Sequence, residues 1–388
     1  MLKCASVYTC EIDDHVIALD EIKSQLDDKI KLLKNTVGVI MCNPEFIYGE
    51  TVEYICAGLP FDVIGITTSS QSTNDEIGEL TLTLFVMTSD DIQFVTGVTE
   101  SLITDIYESA KKAYETASAG HSGLPQLLLV FPPFLLEQFS GDLLVEAWDR
   151  ILPGVPQFGS LAIDDTATFS ECSTIYNGKD SRDTMPFILC YGNIKPRFII
   201  ATLDEVSGIS LRAEVTKAKD NIVYEINNIV TRDFFMESLG IPESMISIPL
   251  LIDSPSANNY DGIPVIREQS SVTAEGAGVF GGNIEVGSKL LLLKADDESI
   301  LSTSLQGLMK LNNMEDVNGA LIFSCVSRRI MLMGVNKSMA ELQLVKDTVK
   351  PDIPFMMGGS GGEICPTSVR DGVAFNRNHE YSMVILVV

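Results

Sequence analysis

The sequence predicts an α+β fold of two domains, each a mixed, largely antiparallel β-sheet flanked by helices. Three observations carry that prediction. The chain has 388 residues, more than one hydrophobic core usually serves. It is 45% hydrophobic and only 21% charged, which allows a large core and argues against disorder. Segments of helical period alternate with β-branched runs and then give way to strand after strand, the order expected of mixed sheets with helical cover.

The elements follow in order. Residues 5–10 (ASVYTC) read as a strand, and over 16–34 Ile17, Leu19, Ile22, Leu26 and Ile30 recur at helical spacing among charges. The β-branched run 37–42 (VGVIMC) is a buried strand, 44–59 suits a helix and 61–67 (FDVIGIT) a strand. Residues 79–88 and 91–98 are consecutive strands around a Ser-Asp-Asp turn. A helix over 101–118, a strand over 126–131 and a helix over 135–151 come next. Residues 156–164, 167–178, 184–192 and 196–202 form a strand meander. The domain boundary is expected within 203–215, dividing the chain into 1–205 and 206–388. Beyond it stand a helix at 230–239, strands at 261–268 and 288–295, and a helix at 298–312. A strand at 319–326, a helix at 337–349 and strands at 353–359, 372–378 and 380–388 complete the chain, and no short-period repeat is visible.

Charge and cysteine usage narrow the function. Acidic residues outnumber basic ones 53 to 27, and the net charge of −26 repels phosphate backbones and anionic lipid heads. With no Lys/Arg stripe to offset that field, nucleic acid is disfavoured as a partner. The start, MLKCASVYTCEIDDH, lacks a long apolar core and turns acidic at once, so no targeting segment is expected. The most apolar stretch, LPQLLLVFPPFLL (124–136), is broken by prolines, whereas a spanning helix needs about 20 apolar residues. No membrane insertion is expected. The eight cysteines show no CxxC and no close framework, and several lie in apolar runs; free buried thiols of a cytoplasmic protein fit best. The three histidines are far apart, so no metal site and no cofactor are expected.

Four stretches place polar groups at strand ends. MMGGSGGEICP (356–366) sets Gly362 and Glu363 after a glycine-rich run. A Walker loop needs Lys and Ser/Thr where Glu363 and Ile364 stand, and a carboxylate there repels phosphate. A Rossmann loop opens a helix, which Cys365-Pro366 does not favour. The stretch is either a close approach of backbone to something small, with Glu363 as acceptor, or a flexible hairpin. GALIFSCVSRR (319–329) ends a buried strand in Ser324, Cys325 and two arginines; Arg328 either holds a carboxylate by paired hydrogen bonds or belongs to a solvated arginine pair on a turn. Cys325 becomes a nucleophile only if a base stands near it. VPQFGSLAIDD (155–165) ends in Asp164 and Asp165, acceptors for an ammonium group or caps of a turn. IGITTSSQ (64–71) brings a hydroxyl cluster that includes Thr68.

Together these stretches resemble the FIST family, with its N-terminal and C-terminal regions, over nearly the whole chain. IGITTSSQ sits where the family has a Gly-Cys-Ser-Thr-like turn, with Ile66 in the cysteine's place. FGSLAIDD and IYNG (175–178) look like its Gly-Gly-x-Ala-x-Asp-Asp run and hairpin, with Ser160 for the second glycine. LIFSCVSR (321–328), GGEICP (361–366) and the late NRNHEYSMVIL (376–386), which contains Asn378, resemble the C-terminal segments. The family's aromatic residues before Gly-Glu are replaced here by GGSG; if they contact ligand, the ligand or its affinity differs.

The resemblance implies a sensory module of prokaryotic, here bacterial, signal transduction that binds small molecules such as amino acids. Arg328 and Glu363, with Asp165, would then offer the opposite charges that a zwitterion needs, among Gly362, Cys325, Asp164, Thr68 and Asn378. No output segment is visible, so a separate signalling protein, such as a sensor kinase or chemotaxis component, is the expected partner. Two other readings stay open: a hydrolase or transferase using Cys325 or Ser324 with His379 and Glu363, and an interaction scaffold with an open apolar patch.

Overall fold

A computed structural model describes all residues except 136–137, 167, 204–207, 239, 241–247 and 256–262; for 208–212, 238 and 248 only the backbone is described. The expected division at 205/206 falls outside the described residues, as do parts of the expected helices 135–151 and 230–239 and strands 167–178 and 261–268.

Three stretches of chain fold alike. The first runs β1 (Lys3–Thr9), α1 (His15–Lys29), β2 (Asn35–Cys42), α2 (Glu45–Tyr48), α3 (Thr51–Gly58) and β3 (Asp62–Thr67). A hairpin, β4 (Gln71–Thr73) and β5 (Ile77–Gly78), and then β6 (Leu82–Ser89) complete it. The second repeats this as β7 (Gln93–Val98), α4 (Ile106–Ala117), β8 (Leu127–Val130), α5 (Gly141–Ile151) and β9 (Gln157–Ser160). Its hairpin is β10 (Thr174–Tyr176) and β11 (Lys179–Ser181), followed by β12 (Pro186–Tyr191). The third opens with β13 (Arg197–Thr202) and is then interrupted by an insertion. The insertion holds β14 (Gly208–Lys219), β15 (Ile222–Ile226), β16 (Ile229–Val230), the turn α6 (Thr231–Asp233), β17 (Ile248–Asp253), β18 (Val265–Val272), β19 (Gly278–Phe280) and β20 (Lys289–Leu293). The stretch resumes with α7 (Asp297–Asn312), β21 (Ala320–Cys325), α8 (Val326–Gly334), α9 (Ala340–Thr348) and β22 (Phe355–Ser360). Its hairpin is β23 (Glu363–Arg370) and β24 (Val373–His379), and β25 (Ser382–Val387) closes it.

Each stretch builds one sheet on the same plan. The helix-linked pairs β2–β3, β8–β9 and β21–β22 run parallel, as crossover connections allow. The hairpins do not stay at home: β4 pairs β22, β10 pairs β3 and β23 pairs β9. The sheets therefore order as β1-β6-β2-β3-β10-β11, β7-β12-β8-β9-β23-β24 and β13-β25-β21-β22-β4-β5. The exchange closes a ring of three, a long-period repeat that residue patterns alone did not reveal.

Burial explains the continuous apolar strands. Met41, Phe131 and Phe323, from corresponding places in the three sheets, meet in one central core with Phe85, Ile188 and Val384. Phe131 meets Phe323 edge-on at 6.3 Å, and Phe158 stacks on Phe323 at 5.2 Å. The alternate residues face outward under helices: Ile40 and Leu84 beneath α1 and α3, Leu128 and Leu189 beneath α4 and α5, Ile322 and Ile385 beneath α7 and α9. Sheets buried on both faces need apolar residues at every position, which is why VGVIMC and ALIFSC show no alternation.

The α+β class, with mixed sheets flanked by helices, is what the sequence predicts. Local details differ. The helix expected over 16–34 starts at His15 behind Asp14, whose carboxylate accepts the Val16 and Ile17 amides, and ends at Lys29 because Ile30 is extended. The helix expected over 44–59 breaks at Glu50, which sits at φ 58°. The expected strand 319–326 stops at Cys325 and turns directly into α8.

The insertion is a closed barrel. Its strands order as β14-β20-β17-β18-β19-β15-β16, and β14 also pairs β15, which seals the circle. Val215, Val223, Phe280 and Leu290 fill it. It rests on the repeat body through Leu203, Ile266, Leu293, Ile300, Leu332 and Tyr381.

Candidate functional site

Three of the stretches singled out in the sequence are one element seen three times: the connection from the third strand to the exchanged hairpin. These connections bond one another. The Ile163 amide donates to the Thr67 carbonyl at 3.2 Å, the Gly359 amide to the Ser70 carbonyl at 3.2 Å, and the Gly361 amide to the Leu161 carbonyl at 3.1 Å. Thr68 adds a hydroxyl bond to the Gly359 carbonyl at 2.9 Å. A Cβ on Gly359 would lie 2.9 Å from Ser69 Oγ and 3.2 Å from Ile163, and one on Gly361 would lie 2.6 Å from Phe134. The glycines thus serve the close approach of neighbouring repeats.

Asp164 and Asp165 belong to this region. Asp164 accepts from the Thr166 amide (2.7 Å), the Thr166 hydroxyl (2.6 Å) and the Glu171 amide (2.6 Å), which makes it a turn cap. Asp165 is exposed and accepts from Asn43 at 3.1 Å.

A second cluster lies where the barrel meets the body. Its centre is Arg267 on β18, 2% exposed, which grips Asp142 at the start of α5 with two bonds of 2.8 and 2.9 Å. Arg267 also donates to the Asn378 carbonyl at 2.8 Å and stands 3.6 Å from Glu380. The Glu268 amide donates to Glu380 at 2.6 Å, and Ser327 on α8 donates its hydroxyl to Glu268. Barrel backbone completes the clasp: the Gly141 amide reaches the Gly281 carbonyl at 3.0 Å, and the Asn283 amide reaches Asp142 at 2.7 Å.

Beneath this layer lie Cys325 and Glu363. Glu363 is fully buried, and neither carboxylate oxygen closes a hydrogen bond. It opens the first strand of its exchanged hairpin; the matching residues of the other two hairpins are the uncharged Gln71 and Thr174. Burial pushes its carboxyl well above the usual range, and the nearby Glu380 adds to that, while the Ser360 hydroxyl, the Arg328 charge and the Ser382 amide only partly oppose it. Burial, then Glu363 and Glu268, push the Cys325 thiol up as well.

Arg328, expected to clamp a ligand, is fully buried and engaged by the protein itself. It bonds Glu341 from Nε at 3.1 Å and from Nη2 at 2.8 Å, with further bonds to Ser304 and to the Ile300 and Tyr381 carbonyls. Burial raises the Glu341 carboxyl, but the Arg328 charge and bonds from Arg328, Ser304 and Ser324 outweigh it and hold it below its ordinary value. Asn378 stands at the junction, its carbonyl on Arg267 and its side-chain oxygen 3.1 Å from where a Gly362 Cβ would be. The structure therefore gathers Cys325, Arg328, Gly362, Glu363 and Asn378 near one junction and leaves Thr68, Asp164 and Asp165 with the connections. Asp142, Arg267, Glu268, Glu341 and Glu380 escaped the sequence reading. The one local hint was charge inside a strand, the Arg-Glu of VIREQSS.

A cleft of about 100 Å³ opens beside Arg267, lined also by Asp142, Asp149, Asn283, Glu285 and Arg377. Burial raises the Asp149 carboxyl despite bonds from Asn376 and Gln157 and the Arg377 charge. A larger groove of about 560 Å³ lies at the opposite pole, where Arg197 is spent on the Glu315 and Asp316 carbonyls and Lys195 is exposed. We favour the smaller cleft because buried charges of both signs adjoin it. All eight cysteines are free, with Cys10 exposed. Among the described residues, no helix is long and apolar enough to cross a membrane.

The FIST N domain model matches residues 36–229 and the FIST C domain model residues 229–366. The chain belongs to the FIST family. FIST domains are generally described as small-ligand sensory domains of signal transduction. No curated protein matches the chain. Among solved structures, the chain is similar to the cyanuric acid hydrolase from A. caulinodans, at 8% identity over 100% of this chain and 99% of that one, with a TM-score of 0.35. A likeness that low carries no argument about activity.

Proposed function

We propose that the protein is a cytoplasmic bacterial sensor that binds an amino acid in the cleft between barrel and body and signals through a separate protein, such as a sensor kinase or chemotaxis component. One observation carries this reading: guanidinium groups (Arg267, Arg377) and carboxylates (Asp149, Glu285) from two bodies line one small space. A zwitterion needs both signs. Exposed pairs contribute roughly 0–1 kcal/mol, so affinity depends on partial desolvation, which the buried Arg267 favours. In this reading Asn378 and Gly362 support the floor, Arg328, Glu363 and Cys325 form the layer beneath, and Thr68, Asp164 and Asp165 keep the connections in place. The division into 1–205 and 206–388 is proposed for the sequence only, since two sheets draw strands from both sides of it.

A thermal-shift screen of the twenty amino acids tests this. A ligand at about 100 times its Kd adds about 2.7 kcal/mol of stability. Arg377→Leu is expected to abolish that shift. A flat profile for every amino acid at about millimolar concentration, where even weak sites begin to fill, defeats the reading.

The enzymatic alternative finds less support. Ser324 donates to Glu341 at 2.7 Å, His379 Nε2 lies 2.9 Å from the Cys365 carbonyl, and the Cys325 thiol is held protonated. The one carboxylate that Ser324 meets among the described residues, Glu341, is already committed to Arg328 and Ser304.

A further inference from the structure

The junction has an unbalanced charge count. Four carboxylates meet there: Asp142 from α5, Glu268 from β18, Glu363 from β23 and Glu380 just past β24. Among the described residues, Arg267 is the cation that pairs with Asp142 and Glu380, while Arg328 is matched by Glu341. One guanidinium does not balance Asp142, Glu363 and Glu380 if all three ionise. Asp142 is matched by the bidentate bond to Arg267. The load falls on Glu363, buried with neither oxygen hydrogen-bonded, and on Glu380, whose Oε1 has no hydrogen bond.

Packing keeps water from relieving it. A Cβ on Gly281 would lie 2.6 Å from the Glu380 carboxyl carbon, and one on Gly282 would meet Arg267 and Asp142, so barrel backbone lies directly on these groups. From the other side, Glu363 faces Cys325 at the end of β21, Arg328 on α8 and Cys365 on its own strand. His379, its ladder partner on β24, is bonded to the Cys365 carbonyl. None of these offers Glu363 an uncommitted cation.

We propose that the junction is a proton-operated latch, in which protons held on Glu363 and Glu380 keep the barrel closed on the repeat body. Burial lifts the Glu380 carboxyl to about 8, with Glu268 and Asp142 adding to the rise and Arg267 and the Glu268 amide opposing it. A carboxyl that binds its proton more tightly closed than open favours the closed form at low pH. That preference fades as pH rises and is gone above the closed-state value. Opening then lets water reach the ionised carboxylates and widens the cleft beside Arg267. The latch regulates the proposed ligand site, yet it operates without any ligand.

Hydrogen exchange on the whole ligand-free chain tests it, with the chemical exchange rate divided out to give opening constants. For amides at 266–269, 281–284 and 378–382, the wild-type opening constant is expected to rise with pH, by up to tenfold per pH unit for each proton released. The share of that rise due to Glu380 should end above about pH 8. Glu380→Gln and Glu363→Gln should each flatten that slope, while amides of β2 stay flat in every protein. A wild-type junction with no slope overturns the latch, and so does a slope that both variants retain. If the variants do not fold, infrared difference spectra of the wild type decide. A buried protonated-carboxyl band that disappears as pH rises supports the latch, and its absence overturns it. Neither result depends on which molecule the cleft takes, so the amino-acid screen stands or falls separately.

Discussion

Arg328 shows how a residue can be located by its pattern and yet serve a different end. An arginine after a buried strand fits a ligand's carboxylate, and the chain supplies that carboxylate itself as Glu341. Arg328→Met should therefore cost about 3–5 kcal/mol in chemical denaturation, because it strands a buried charge. Arg328→Met with Glu341→Leu should recover most of that loss; no recovery would mean that the other bonds of Arg328 dominate. Cys325 permits a second prediction. Its thiol is buried and pushed up, so iodoacetamide near neutral pH should label Cys10 and spare Cys325 until the chain unfolds. Rapid labelling of Cys325 by mass spectrometry would revive the hydrolase reading. The sequence brought Cys325 and Glu363 into view because each ends or begins a recognisable strand. It hid the acid–base cluster because Asp142, Arg267 and Glu380 sit on three unrelated elements, with no spacing to connect them.

At the level of elements, most strands and helices were legible because apolar period and β-branched runs act locally. The failures share one cause. Helix α8 follows Cys325 with no side-chain cap, so nothing in FSCVSRR announces a helix start. For the hairpins β4–β5, β10–β11 and β23–β24, a turn signal can fix the hairpin but not the sheet that receives it. The glycine run similarly reads as a loop near a ligand, when its neighbours are Thr68, Ser69 and Ile163 of other repeats.

For the whole molecule, exchanged hairpins make the halves interdependent. Residues 1–205 expressed alone lack β23 and β24, which leaves the edge of β9 unpaired, and they lack the strands that receive β4 and β5. An unpaired apolar edge invites association with other chains. The fragment should aggregate or lose its near-ultraviolet dichroism, and a monomer with a cooperative melt would show that the shared sheets are dispensable. Family membership was legible from short segments, while the threefold plan was not, because it resides in pairings between distant residues.

The lending of hairpins also sets a timetable for synthesis. The sheet founded by β1 can be finished once residue 181 has left the ribosome, but the open edge of β9 waits for β23, which ends at residue 370, and β13 waits for β25, which ends at residue 387. Two of the three sheets of the body stay incomplete until those strands emerge. A chaperone that shields apolar strands therefore has most to do on nascent chains that have not yet released β23 and β25.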